Sequence, residues 1–295
     1  MFRYKRLGLV LVLAIAPALA AAQSVTGPNP SADGKQWMLA LSALRDEDAY
    51  ENLLASFNLS LSEDTWLFFD GGTSRAPSTE QDVSASLLGA GVEHSFGRAG
   101  FGLAVEQWGD KKNLETTDWQ TEVFLRGERY RVGLSYESRA IDIYFSGAGG
   151  PILTDLRKIG IDADGIAFDW RYRATPNWQV YGSIAEYDYP RGLRIVPRAG
   201  RLDLLSTSAV TLAYGFVDSY RSVGFEREIG LKLFNLDLGQ DRSTIGGERL
   251  RSVAASILWP ASSRLDLEFR LGSSRAAGFD SSVYGGFNVL IYGGG

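Results

Sequence analysis

Residues 253–271 read VAASILWPASSRLDLEFRL. The second arm of this stretch alternates without a fault. Leu265, Leu267, Phe269 and Leu271 fall on one side, and Arg264, Asp266, Glu268 and Arg270 on the other. Successive side chains of a strand point to opposite faces, so this arm has one apolar and one charged face. The first arm, AASILW, meets it across PASS, a link short enough to predict a hairpin. In a water-soluble sandwich the apolar face would be core. In a transmembrane barrel the same alternation turns the apolar face to lipid and the charged face to the lumen.

The unit recurs along the chain. Leu53, Ala55, Phe57, Leu59 and Leu61 oppose Asn52, Ser56, Asn58 and Ser60, and a tight turn at 62–64 leads into TWLFFDGG. Arms 83–96 and 101–108 hinge at 97–100, arms 117–126 and 130–145 at Gly127-Glu128, and arms 166–172 and 178–189 at 174–177. Further runs are 36–44, 202–214 and 283–292, with a turn at 217–219 and a long arm over 220–239. Within 130–145, Ile141, Ile143 and Phe145 fall out of step with Val132, Leu134 and Tyr136, which predicts a β-bulge. Alternation and turn signals together give about fourteen strands, with twelve or sixteen left open by the uncertain phase near 138–160 and 229–240. The short turns alternate with longer loops. That rhythm predicts an all-β, antiparallel, up-and-down transmembrane barrel with short periplasmic turns, longer extracellular loops and both termini periplasmic.

The N-terminus agrees. Arg3, Lys5 and Arg6 precede an apolar run over 7–16 and the small residues Ala20, Ala21 and Ala22, the pattern of a cleaved secretory signal over 1–22. Residues 23–35 are a Pro/Gly/Ser-rich lead without periodicity, expected to be a flexible periplasmic segment, and 36–292 are expected to form one barrel domain. No later stretch is long and apolar enough for a spanning helix. Cysteine is absent from the 295 residues, which excludes disulfides, thiolate metal sites and Cys nucleophiles. Losing Arg3, Lys5 and Arg6 with the leader leaves 27 basic against 35 acidic residues, a formal −8, and so acidic a chain is unsuited to nucleic acid.

Little in the sequence points to catalysis. His94 is the sole histidine, and its neighbour Ser95 should point to the opposite strand face, so the two are read as bystanders rather than a catalytic pair. One histidine and scattered acids make no metal site; Asp162-Ala-Asp164-Gly165 lacks the downstream Glu of a calcium loop and reads as a turn. No catalytic residue, metal or cofactor is expected.

The charged phase of the strands carries the functional reading. Glu122, Arg126, Arg131, Asp169, Arg171, Arg173, Asp203, Glu226, Glu228, Arg264, Asp266, Glu268 and Arg270 are expected to line the pore, and Asp118, Glu137 and Lys232 share their phase. So many charges need water or dense pairing, and a barrel of this size is wider than one that side chains fill. A lumen plugged by crossed salt bridges and loops is the competing reading. Loop 190–201 carries Arg191, Arg194, Arg198 and Arg201, expected as a positive constriction, as a lipopolysaccharide-binding loop, or simply as a solvated one. Aromatics beside the short turns, Trp37, Trp66, Tyr130, Trp178, Trp259 and Tyr292, are expected to form a membrane-interface girdle, with Phe69, Trp108, Trp119, Tyr144, Tyr187, Tyr189 and Tyr284 as a looser second set.

The leader, the girdle aromatics and the closing run YGGFNVLIY at 284–292 make the chain resemble a Gram-negative outer-membrane β-barrel of porin-like type, similar in strand number and size to small monomeric porins. Such proteins usually end on an aromatic residue, whereas here Tyr292 is followed by three glycines. The resemblance implies an outer-membrane location and passive diffusion of small hydrophilic solutes through a mixed-charge lumen. Outer-membrane lipid, lipopolysaccharide and those solutes are the implied partners, with an envelope complex as a further one. Two alternatives stay open: a non-conducting barrel serving as anchor or accessory subunit of an export or assembly system, and a lipid-modifying barrel enzyme dependent on His94.

Overall fold

The computed structural model describes residues 37–47, 50–76, 83–110, 114–145, 157–189, 217–243, 249–276 and 281–294. Fourteen strands follow one another: β1 (Trp37–Asp46), β2 (Glu51–Ser62), β3 (Thr65–Ala76), β4 (Val83–Phe96), β5 (Ala99–Gly109), β6 (Leu114–Arg126) and β7 (Tyr130–Phe145). The second half is β8 (Arg157–Thr175), β9 (Trp178–Asp188), β10 (Val217–Ile229), β11 (Lys232–Ser243), β12 (Arg249–Ser262), β13 (Leu265–Ala276) and β14 (Ser282–Gly293). Each pairs antiparallel with its sequence neighbours, and β1 closes on β14 from Trp37↔Gly293 to Asp46↔Tyr284. Closure leaves no free edge strand, so the backbone polar groups of the wall are paired strand to strand around the barrel.

Register sorts the side chains into two faces. The outer face holds large apolar groups in the open, with Leu88 70%, Leu271 64% and Trp119 61% exposed, while Met38 and Phe124 on the inner face are each 3% exposed. Leu265, Leu267, Phe269 and Leu271 point out, and Asp266, Glu268 and Arg270 point in across from Leu290, Asn288 and Gly286. The alternation that decided the fold is therefore the alternation of the barrel wall.

Several expectations need correction. The arm read over 220–239 is two strands, β10 and β11, meeting at Gly230-Leu231. Gly230 has φ of 64°, the left-handed region that lets a glycine reverse the chain in two residues. The turn expected at 217–219 is the start of β10, with a register irregularity between Val217 and Ser219. No bulge interrupts β7, whose register runs unbroken against both β6 and β8. Ile141 and Ile143 are out of step because they face inward. Asp162 and Asp164, read as a turn, lie inside β8. The leader, the lead segment, run 202–214 with Asp203, and loop 190–201 with its four arginines lie outside the described residues. The closed sheet is complete in its fourteen strands without them.

Candidate functional site

The interior is the candidate site, and register fixes which residues enter it. Among those expected to line a pore, Glu122, Arg126, Arg131, Asp169, Arg171, Arg173, Glu226, Glu228, Asp266, Glu268 and Arg270 lie on the inward phase. Arg264 instead occupies the β12–β13 turn, where its backbone N–H donates to Ser262 Oγ at 3.2 Å. Lys232 is on the outer face, its ammonium 5.4 Å from the Trp259 ring centre. The sequence reading missed Asp46, Asp70, Glu93, Glu106, Arg139, Asp237 and Asp241, all inward by register. Simple parity along each strand would have found them. They were overlooked because each stands in a stretch whose alternation is broken by Gly, Ser or inward apolar residues. Among the strand residues whose side chains are described, Arg126, Arg131, Arg139, Arg171, Arg173 and Arg270 bring positive charge inside, and the acids on the same phase outnumber them.

The inner wall is uneven. Over β6–β9 it is built from large side chains. Arg131 forms ion pairs with Glu122 (3.0 Å), Glu93 (3.1 Å) and Asp169 (3.4 Å) while stacking over Phe124, its guanidinium carbon 4.4 Å from the ring centre. Glu93 is on β4 and Arg131 on β7, three strand spacings or roughly 14 Å around the wall. Two long side chains cross that distance over Gly102 of β5 and past Glu122 and Phe124 of β6. A Cβ at Gly133 would collide with the carboxylates of Asp169 and Glu122, so glycine there is what admits them. Nearer the long-loop end, Arg139 donates to Asp118 (3.0 Å), Glu137 (2.8 Å) and Tyr189 Oη (3.3 Å), and lies over the Tyr187 ring at 4.6 Å. Above it an apolar cluster of Leu114, Ile141, Ile143, Ile161, Ala163 and Tyr189 is buried inside the barrel, with Trp108 and Tyr187 against it.

Opposite, over β11–β14 and β1–β3, small residues such as Gly239, Ser252, Ala254, Ser256, Gly272, Ser274, Gly286, Ala40, Ser42, Ser56 and Gly72 stand on the inner face between larger ones such as Met38, Trp66 and Tyr284. Its contacts are correspondingly sparser. Arg270 donates to Asp237 at 3.1 Å, Tyr181 reaches both Asn235 (2.8 Å) and Asp237, Asn288 donates to Glu268 at 2.7 Å, and Tyr292 Oη donates to Asp266 at 2.8 Å.

On the outer face, Trp37, Tyr130, Trp178 and Trp259 stand at the short-turn end. Arg227 lies 4.8 Å over Trp178, pairing cation and ring where an apolar belt meets a polar edge. Trp66 and Tyr292, expected with them, point inward instead: Trp66 is 7% exposed and Tyr292 sits opposite Met38. Trp108, Tyr187, Tyr189 and Tyr284 of the second set are also inward, while Phe69 and Trp119 face out. His94 faces out, its Nδ1 2.8 Å from Thr65 Oγ1 and its ring edge-on to Phe96, whereas Ser95 is buried within. The wall separates the two side chains, so they cannot act on one substrate.

No protein-family model matches the chain, and no curated protein matches it. Solved structures do resemble it in shape. The toluene transporter TodX of Pseudomonas putida aligns over 92% of this chain and 93% of its own at 10% identity, with a TM-score of 0.49. The CymD monoaromatic hydrocarbon channel aligns over 98% and 95% at 9% identity and a TM-score of 0.47. The KdgM porin in complex with disordered oligogalacturonate aligns over 86% and 98% at 8% identity and a TM-score of 0.42.

Proposed function

We propose that the protein is an outer-membrane channel through which small hydrophilic solutes diffuse, cations more readily than anions. The observation that carries this reading is a single wall with an apolar outer face and an acid-rich inner one. In water the outer face would leave Leu88, Leu271, Trp119 and their neighbours uncovered, far beyond the apolar patch a soluble protein tolerates. Lipid covers such a belt at no cost. From Trp259 at one edge to Arg251 at the other, β12 spans about nine residues, the length a tilted strand needs to cross a bilayer. The basic-then-apolar leader supports export to that membrane. Inside, unpaired carboxylates repel anions and raise the local concentration of cations.

A second reading has its own support. The Arg131 and Arg139 lattices and the apolar cluster above them are what a barrel with an obstructed lumen would contain, and such a barrel would serve as an anchor or accessory subunit. Single-channel recording in a planar bilayer under a KCl gradient separates the two. The channel predicts discrete ohmic steps with a reversal potential on the cation side. Silence from folded, inserted protein overturns the channel, and a reversal potential on the anion side overturns the selectivity.

A further inference from the structure

We propose that the outer face of β11–β13, at the long-loop end, binds the phosphate groups of a membrane lipid. Arg242 on β11 stands directly across from Arg249 on β12, and Arg251 on β12 directly across from Arg275 on β13, with Gln240 on the other side of Arg251. All four arginines are exposed. Like charges set opposite one another on a sheet destabilise it, so two adjacent Arg–Arg pairs make structural sense only with an anion between them. Arg242 has one acidic partner, Asp218 at 3.3 Å. Among the described residues, Arg249, Arg251 and Arg275 have none.

The rim is not basic all the way round, although Arg45 on β1 and Arg75 on β3 share this phase and this end. Around the barrel at the same end, the outer phase of β6–β9 carries Glu115, Asp142, Asp162, Asp164, Glu186 and Asp188 instead. Guanidinium forks match phosphate geometry in a way that a diffuse positive field does not. What selects a lipid over a soluble anion lies one step below. Two residues toward the short-turn end, Leu238 and Val253 face each other with Leu271 beside them, all outward and exposed. A ligand holding phosphate against Arg251 and Arg275 would lay its acyl chains on those side chains, and a free phosphate would gain nothing from them.

The proposal rests on the reading that the outer face lies in a membrane, and the test separates the two. Refolded protein would be mixed in detergent with bisphosphorylated lipid A, or with the same lipid dephosphorylated, and the bound fraction read by native mass spectrometry. Retention of the phosphorylated lipid about tenfold above the dephosphorylated form is expected, and about tenfold loss of that retention in the Arg251→Gln/Arg275→Gln variant. Equal retention of the two lipids by the unaltered protein overturns the proposal, whether or not the variant refolds. Displacement of the lipid by millimolar pyrophosphate also overturns it, because the patch would then recognise a soluble anion. Insertion into phosphatidylcholine vesicles, scored by flotation, reads the membrane assignment separately. Inserted protein without phosphate preference sinks the patch alone, and protein that never inserts sinks both.

Discussion

The two sides of the barrel solve the same problem with different chemistry. Across β6–β9 the inner wall is thick: arginines tie acids of several strands together, and an apolar cluster caps them toward the long loops. Across β11–β14 and β1–β3 it is thinner, with glycine, serine and alanine between larger residues such as Met38, Trp66 and Tyr284, and with isolated hydrogen bonds. The outer rims differ in parallel, acidic beside the thick wall and arginine-rich beside the thin one. A uniform barrel would place its conduit on the axis. This one gathers its arginine-centred ion-pair lattices on one side, where they rigidify the wall. The comparison teaches that charge inside a barrel has two uses, and that only unpaired charge is free to act on a solute.

The thick wall should fail hardest when its buried cation is removed. Arg139 is nearly enclosed, and Arg139→Leu would strand Asp118 and Glu137 as uncompensated carboxylates in a water-poor site. Breaking such a set costs about 3–5 kcal/mol. The matched change on the thin side, Arg270→Leu, removes a charge-assisted hydrogen bond to Asp237 and should cost about 1.5–3 kcal/mol. Urea unfolding of both variants in one detergent, against unaltered protein, gives the two numbers. Equal losses would mean that the walls differ in composition but not in how they hold the barrel.

Packing should show the same contrast at smaller scale. At Gly133 an added methyl has nowhere to go between Asp169 and Glu122, and overpacking of this kind costs about 1–3 kcal/mol. At Gly89 on β4, outside both walls, the nearest atom to an added methyl is Asp70 Cβ at 3.5 Å, an ordinary contact. Gly89→Ala should therefore be near neutral, within about 0.5 kcal/mol. Thermal unfolding of Gly133→Ala and Gly89→Ala in parallel checks this, and a destabilised Gly89→Ala would show that crowding is not confined to the thick side.

Much of the fold was legible because one face of every strand is apolar. Strands such as β13 and β2 alternate cleanly, and their short turns are marked by Ser62, Glu63 and Asp64 or by Pro260 to Arg264. Legibility failed where the inner face is itself apolar. Ile141 and Ile143 look like a phase slip in sequence, although they keep phase and merely face inward, since periodicity reports polarity rather than direction. Trp66 and Tyr292 misled for the related reason that an aromatic beside a turn reads alike on either face. Part of the inward phase was readable residue by residue, as Asp266, Glu268 and Arg270 attest. The pairing that neutralises Arg131 was not, because Glu93, Glu122 and Asp169 come from three strands far apart in sequence.

The hinge between the walls offers the gentlest test. β10 follows the thick side and β11 begins the thin one, and the two are joined only by Gly230 and Leu231. A length argument should have revealed this turn, since an arm of about twenty residues is twice what a spanning strand requires. Nothing lies within 4 Å of a Cβ built at Gly230, so any penalty for a larger residue there comes from its φ of 64° alone. Gly230→Ala should cost about 1 kcal/mol, and Gly230→Asn less, because asparagine visits the left-handed region more readily than alanine does. Unfolding midpoints of the two variants decide the matter. If both match the unaltered protein, the turn does not depend on left-handed backbone, and the register of β10 on β11 is held by their side chains instead.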